Sequence, residues 1–280
     1  MTGGRGASRA LVGGAVAVLL GLPVLAALLL IGGSEPAPAA KRDSCVDCHS
    51  NRDFLVTDRK LYEYFQQWTL SVHRQEEVSC VDCHGGDPGI ADKDGAHGGD
   101  LSGEAVSSAV NFKNIPRTCG ECHEDVYRAY RQSDHSEYLV AEEDAQQGPN
   151  CVTCHGSMST GVLNVNSIRE SCARCHNEKT DNHPENPERA TAILNRFLSI
   201  HRFYRYIAVR GSPDESRAFF EVADQKIEHL VVTWHTFDLE EIEAETRAVL
   251  DLLKAERDRI RQAIRAAEGS GVRSAGNGER

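Results

Sequence analysis

The 280-residue chain has little with which to build an ordinary interior. Aromatic residues make up 6% of it and hydrophobic residues 40%, and Met158 is the only methionine besides the initiator. That composition is lean for a side-chain core, so something other than side chains is expected to fill part of the interior. Clustered Lys and Arg are also missing. With a formal net charge of -11, the chain lacks the cations that neutralise phosphate, which excludes nucleic acid as a natural partner. An acidic surface suits a basic protein partner, and it equally suits simple solubility by self-repulsion. No cysteine is left over: all 10 fall into Cys-x-x-Cys pairs, and histidine follows each pair at once.

The pairs are Cys45/Cys48, Cys80/Cys83, Cys119/Cys122, Cys151/Cys154 and Cys172/Cys175, with His49, His84, His123, His155 and His176 behind them. Two thiols at this spacing reach the two vinyl groups along one porphyrin edge and form thioethers. The adjacent imidazole then lies beneath the iron as its axial donor. A structural zinc site has no use for a histidine after every pair, and a thioredoxin-like pair would occur once, beside a strand-helix pattern. Disulfides would leave the five histidines to coincidence. Five covalently attached haem c groups are therefore expected, with the ten cysteines as attachment points and the five histidines as proximal iron ligands.

Residues 1–9 precede an uncharged stretch, placed at 10–32, that is long enough to cross a bilayer core of about 30 Å. A single membrane anchor is expected, with Arg5 and Arg9 keeping the N-terminal stub in the cytoplasm. A cleaved secretory signal ending near Ala37-Pro38-Ala39 is the alternative, and either sends the rest of the chain into the periplasm. Residues 33–44 form a Pro/Ala-rich linker. Residues 45–185 form the motif-dense pentahaem domain, and 186–268 a helical region. A disordered tail is expected at 269–280.

An internal repeat emerges when the motifs are aligned. Each unit has one motif, then an aromatic-x-x-Ser-x-His element, then a second motif: Trp68 to His73 between the first two, Tyr130 to His135 between the third and fourth. The fifth motif stands alone. After Pro184 the period changes. Asn186-Pro187, Ser212 with Glu215, and Asp238 with Glu241 mark three helix starts. Apolar stripes follow at Ile193, Phe197, Ile200, Tyr204 and Ile207, at Phe219, Ala223, Ile227, Leu230 and Trp234, and at Ile242, Val249, Leu253, Ile260 and Ile264.

Each iron has a second axial position. His73 and His135 are the leading distal candidates, because both occupy the repeated element. His97 sits in the Gly/Asp-rich loop Gly85–Gly103, where it is either a ligand or solvent-exposed. His201 and His235 lie on or at the end of apolar helix faces, where an iron or a core partner would satisfy them. Met158, three residues after His155, is a further candidate, and a thioether there would raise that haem's potential. His183 and His229 look like ordinary surface histidines.

These residues resemble the multihaem cytochrome c superfamily, including the tetrahaem electron-transfer cytochromes of ammonia oxidisers and the membrane-anchored quinol-oxidising cytochromes. The resemblance spans roughly residues 10 to 180. An anchor followed by Cys45-Val46-Asp47-Cys48-His49, Ser71-Val72-His73 and Cys80-Val81-Asp82-Cys83-His84 is similar to the quinol-oxidising group, although Ser50 and Asn51 stand where that group has its methionine. The Cys-Val-x-Cys-His-Gly motifs are more similar to the electron-transfer group, with Met158 near the place of a second histidine. The resemblance implies closely packed haems that relay electrons in the periplasm.

The expected architecture is mainly α with much irregular structure, organised around five haems and followed by a C-terminal helical hairpin or bundle. Electron relay from membrane quinol or a membrane partner to a periplasmic redox protein is the expected role, with no catalytic residues assigned and membership of a larger complex left open. The alternative is an oxidoreductase of the nitrite, hydroxylamine or tetrathionate type, with one iron open to substrate.

Overall fold

The structure, a computed structural model, describes residues 43–141, 148–161 and 164–275, with the side chains of 213–215 and 269–275 left aside. The expected anchor at 10–32 lies outside the described residues. Among those described, no helix is long and apolar enough to cross a membrane, and no strand occurs.

Eleven short helices make up the region before Pro184: α1 (Ser44–His49), α2 (Phe54–Thr57), α3 (Arg59–Thr69), α4 (Val72–Gln75), α5 (Cys80–His84), α6 (Lys93–Ala96), α7 (Ile115–Gly120), α8 (Glu124–Tyr130), α9 (Asp134–Val140), α10 (Cys151–His155) and α11 (Val165–Ala173). Three long ones follow, α12 (Asn186–Arg210), α13 (Pro213–Thr233) and α14 (Leu239–Ala275), with a 3-10 turn at Trp234–Thr236 between the last two. Before Pro184 few apolar side chains are buried among the described residues: Ala129, Tyr130, Leu139 and Ile168. The lean composition is thus concentrated where the motifs are.

Each repeated element forms an elbow between two helices, and the sequence dictates its shape. The hydroxyl of Ser71 donates to Trp68 O at 2.7 Å and accepts from Arg74 N at 3.1 Å, which ends α3 and caps α4. Ser133 repeats both bonds, to Tyr130 O at 2.6 Å and from Ser136 N at 3.2 Å. The aromatic residue anchors the elbow to the chain two residues ahead of the next motif. Trp68 Nε1 donates to Val78 O at 3.3 Å, and the Tyr130 hydroxyl donates to Pro149 O at 2.8 Å. Histidine then falls at the second residue of the new helix in both copies.

The C-terminal helices form a bundle in which α12 and α13 run antiparallel while α14 runs alongside α12. Phe197 meets Trp234 at 6.0 Å and Tyr204 meets Phe220 at 5.0 Å across the first pair, and Arg257 and Arg261 lie over Phe203 and Tyr206 across the second. Ile200, Ile207, Ala223, Leu230, Val249, Leu253 and Ile260 form its core. Each large aliphatic buried there contributes roughly 1.5–3 kcal/mol of transfer free energy. The bundle abuts the motif region where α11 packs on α12 and α8 on α13. The stripe on α14 is consumed inside the bundle, so that stripe is not a free docking face.

Candidate functional site

The motif helices are short and strongly capped. Asp82 accepts from both Ser79 N and Ser79 Oγ ahead of Cys80, at 2.6 and 2.7 Å, and Asn150 exchanges bonds with Thr153 ahead of Cys151. Gly85 and Gly156 close these helices at φ 75° and 80°, a left-handed conformation that explains the His-Gly step of the second and fourth motifs. No cysteine forms a disulfide. Burial pushes the Cys80 and Cys172 thiols up to about 11, so the free thiols would be protonated at neutral pH.

The thiols reach one another in chain order. Charge on Cys45 acts on Cys80, charge on Cys119 and Cys122 acts on Cys83, and Cys154 is coupled to Cys172 and Cys175. The Cys151 thiol donates a hydrogen bond to Cys119, which holds Cys119 below and Cys151 above the ordinary thiol range. Cysteines of successive motifs thus lie within electrostatic reach of one another, and those of the third and fourth motifs are in contact.

Four of the five motif histidines face a second imidazole. Ring centres are 6.0 Å apart for His49 and His97, 6.2 Å for His123 and His73, 6.2 Å for His155 and His235, and 5.9 Å for His176 and His135. A metal–nitrogen bond of about 2 Å plus roughly 1 Å from nitrogen to ring centre separates two imidazoles on one metal by roughly 6 Å. Imidazoles stacked on each other would sit closer. The hydrogen bonds agree with metal binding through Nε2, because Nδ1 is engaged elsewhere: His97 with Lys93 O at 2.7 Å, His235 with Val231 O at 2.9 Å, His155 with Gly161 O at 3.1 Å and His176 with Asn182 O at 2.8 Å. Such bonds fix the tautomer and raise the basicity of a ligating ring. Thr160 Oγ1 lies 2.9 Å from His73 Nδ1, so one turn, Thr160-Gly161, orients two of these rings.

Electrostatics keep several of the rings neutral, as a metal ligand must be. Burial and then His176 lower the pKa of His135 to about 4, and its Nδ1 is buried without a hydrogen-bond partner. Burial lowers His49, with His97 adding to it, and burial lowers His235, with His155 among the further causes. His84 is lowered by burial and by His49, but among the described residues no second imidazole stands at the axial separation from it. An iron-bearing porphyrin at each motif fits these residues: thiols free of disulfides at the attachment spacing, imidazoles paired at the axial separation and a buried ring nitrogen of His135 without a partner.

One sequence candidate, His201, is not paired with a motif histidine. His201 is exposed on α12, because it lies about 100° round the helix from the buried Ile200. Met158 is half-buried in the turn after α10. One neighbour was not foreseen. His183 lies with its ring 6.4 Å from His176, although its Nδ1 faces Glu185 at 3.6 Å. Nor did any pattern mark Thr160, whose φ of 28° sets it apart only in three dimensions.

Residues 61–138 match the family described as Cytochrome c552, and residues 104–177 match that of Cytochrome c7 and related cytochrome c. Together the matches take in both elbows and the second to fifth motifs. The chain is a multihaem c-type cytochrome. No curated protein and no solved structure matches it significantly. Covalently bound haem c with its iron is the cofactor of this cytochrome and electron transfer is its chemistry.

Proposed function

We propose that this cytochrome is a membrane-tethered periplasmic relay with five haems, carrying electrons in motif order from quinol or a membrane partner to a periplasmic acceptor. The observation that carries the proposal is the pairing of four motif histidines with a second imidazole at ring separations of 5.9 to 6.2 Å. When bound, haem c supplies one-electron exchange between ferric and ferrous iron. The polypeptide contributes the spacing of the thiols and imidazoles paired at the axial separation. The uncharged stretch at 10–32 supports the tether, with the first motif close behind it. A basic acceptor suits the motif region, because residues 41–185 carry 14 Lys and Arg against 25 Asp and Glu, whereas 186–268 carry 13 against 15.

Mass spectrometry of the exported protein tests the central claim. The expected mass exceeds that of the polypeptide by five haems, and the haem colour is expected in the membrane fraction. A mass with fewer additions would end the five-haem reading, and colour confined to the soluble fraction would end the tether.

A second reading rests on His84, the one motif histidine with no second imidazole opposite it among the described residues. An iron above it would have an open face for a small molecule, as in a reductase of the nitrite, hydroxylamine or tetrathionate type. Titration of the reduced protein with carbon monoxide distinguishes the two. One molecule bound per chain is expected if that face is open; no binding would leave relay alone and require a non-histidine ligand above His84.

A further inference from the structure

We infer that the repeat units are interlocked through their ligands: each elbow gives its histidine forward, to the first motif of the next unit, and the C-terminal bundle ligates the fourth iron through His235. This rests on the haem reading above and goes beyond it by assigning each distal residue to a site.

From the sequence, the simplest arrangement would keep each elbow histidine within its own unit, between the two motifs that flank it. The geometry differs. His73, lying between motifs one and two, has its ring 6.2 Å from His123 of the third motif. His135, lying between motifs three and four, has its ring 5.9 Å from His176 of the fifth. The same forward step occurs twice, with the same serine cap and the same aromatic anchor behind it. The lone fifth motif is therefore the opening of a third unit, whose second half is replaced by the bundle.

The first and fourth motifs fall outside this scheme and draw ligands from elsewhere. His97 from the loop after α5 stands opposite His49 of the first motif. The fourth motif faces His235 in the 3-10 turn between α13 and α14, with its Nδ1 hydrogen tied to Val231 O and its ring half-buried. Trp234, its neighbour, packs edge-on against Phe197 of α12, so the turn is held by the bundle core. On this assignment the bundle is a ligand-donating cap on the fourth iron. His183 competes with His135 for the fifth site by distance alone, but it is exposed and faces Glu185, whereas His135 is half-buried with its Nδ1 enclosed and unpartnered.

The test uses the full-length exported holoprotein, with haem number checked by mass and spin state read by magnetic circular dichroism. His73→Ala, His135→Ala and His235→Ala are each expected to add one high-spin haem, while His183→Ala adds none. Pairing is then read in backgrounds that lack one attachment site. In a Cys119→Ala/Cys122→Ala protein, His73→Ala is expected to add no further high-spin haem, and His235→Ala still adds one. In Cys151→Ala/Cys154→Ala the two outcomes exchange, and in Cys172→Ala/Cys175→Ala it is His135→Ala that becomes silent. A high-spin haem produced by His73→Ala without the third attachment site would overturn the assignment, as would a fully low-spin His235→Ala protein. Where alanine prevents maturation, methionine at the same positions keeps a ligand and is expected to raise one haem potential per variant, with the same silencing. A parent protein carrying fewer than five haems counts against the five-haem reading instead, since pairing is read only from differences between backgrounds.

Discussion

Ser71 and Ser133 are small residues with large structural consequences. Each is 2% exposed, ends one helix, caps the next, and places a histidine at the second residue of the new helix. A lost serine cap costs about 1 kcal/mol, and the truncated hydroxyl also leaves Trp68 O or Tyr130 O with one donor fewer. Ser71→Ala and Ser133→Ala are each expected to lower holoprotein stability by roughly 1–2 kcal/mol in denaturant titration. Each also loosens one imidazole, so a minor high-spin signal is expected at a single haem. Unchanged midpoints and spectra would mean that iron ligation, not the cap, fixes the elbow. Conversion to Asp, another good capping residue, is expected to recover part of the stability.

At the scale of elements, legibility followed the range of the interactions involved. The motif region was expected to be irregular and instead forms short helices, whose caps and closing glycines are contiguous with the motifs: Asp82 and Gly85 bracket one, Thr153 and Gly156 another. The three long helices were legible from their stripes, and Asp238 caps α14 through Glu240 N and Glu241 N as expected. The capping box at Ser212 is different, since the serine side chain makes no capping bond; α13 starts there on Pro213 and packing alone. Helix α14 runs to Ala275, past the glycine at 269 where a tail was expected. The distal candidates divide on the same principle. His73 and His135 were marked by a repeat, which is a local pattern. His201 and His235 looked alike in sequence because periodicity gives an angle around a helix but not what lies opposite it. Helix α12 turns His201 to solvent, and the 3-10 turn carries His235 to His155, eighty residues back in the chain. That pairing is a long-range fact with no local signature, and so is the forward step of each elbow.

The whole molecule divides its sources of stability unequally. Ten of the apolar side chains buried among the described residues lie in the bundle, from Ala190 to Ile260, against four before Pro184. The bundle core closes without any cofactor: Ile200, Ile207, Leu230 and Leu253 are 0–1% exposed. The motif region has no comparable cluster, and ordering its backbone costs roughly 1–2 kcal/mol per residue, which four buried side chains cannot offset. Covalently bound haem c is expected to supply the balance, so that cofactor binding there contributes folding free energy, as with metals in small metal-dependent domains. A full-length chain with all ten cysteines replaced by serine is therefore expected to keep helical circular dichroism from the bundle and lose it from the motif region. Hydrogen exchange would show this residue by residue. Protection is expected to persist at Ile200, Leu230 and Leu253, and to vanish across α7 to α10, including the elbow at Ser133. Strong protection across α7 to α10 in that chain would mean that the polypeptide builds the haem cradle unaided, and the region would have to be regarded as a conventional fold that happens to bind haem.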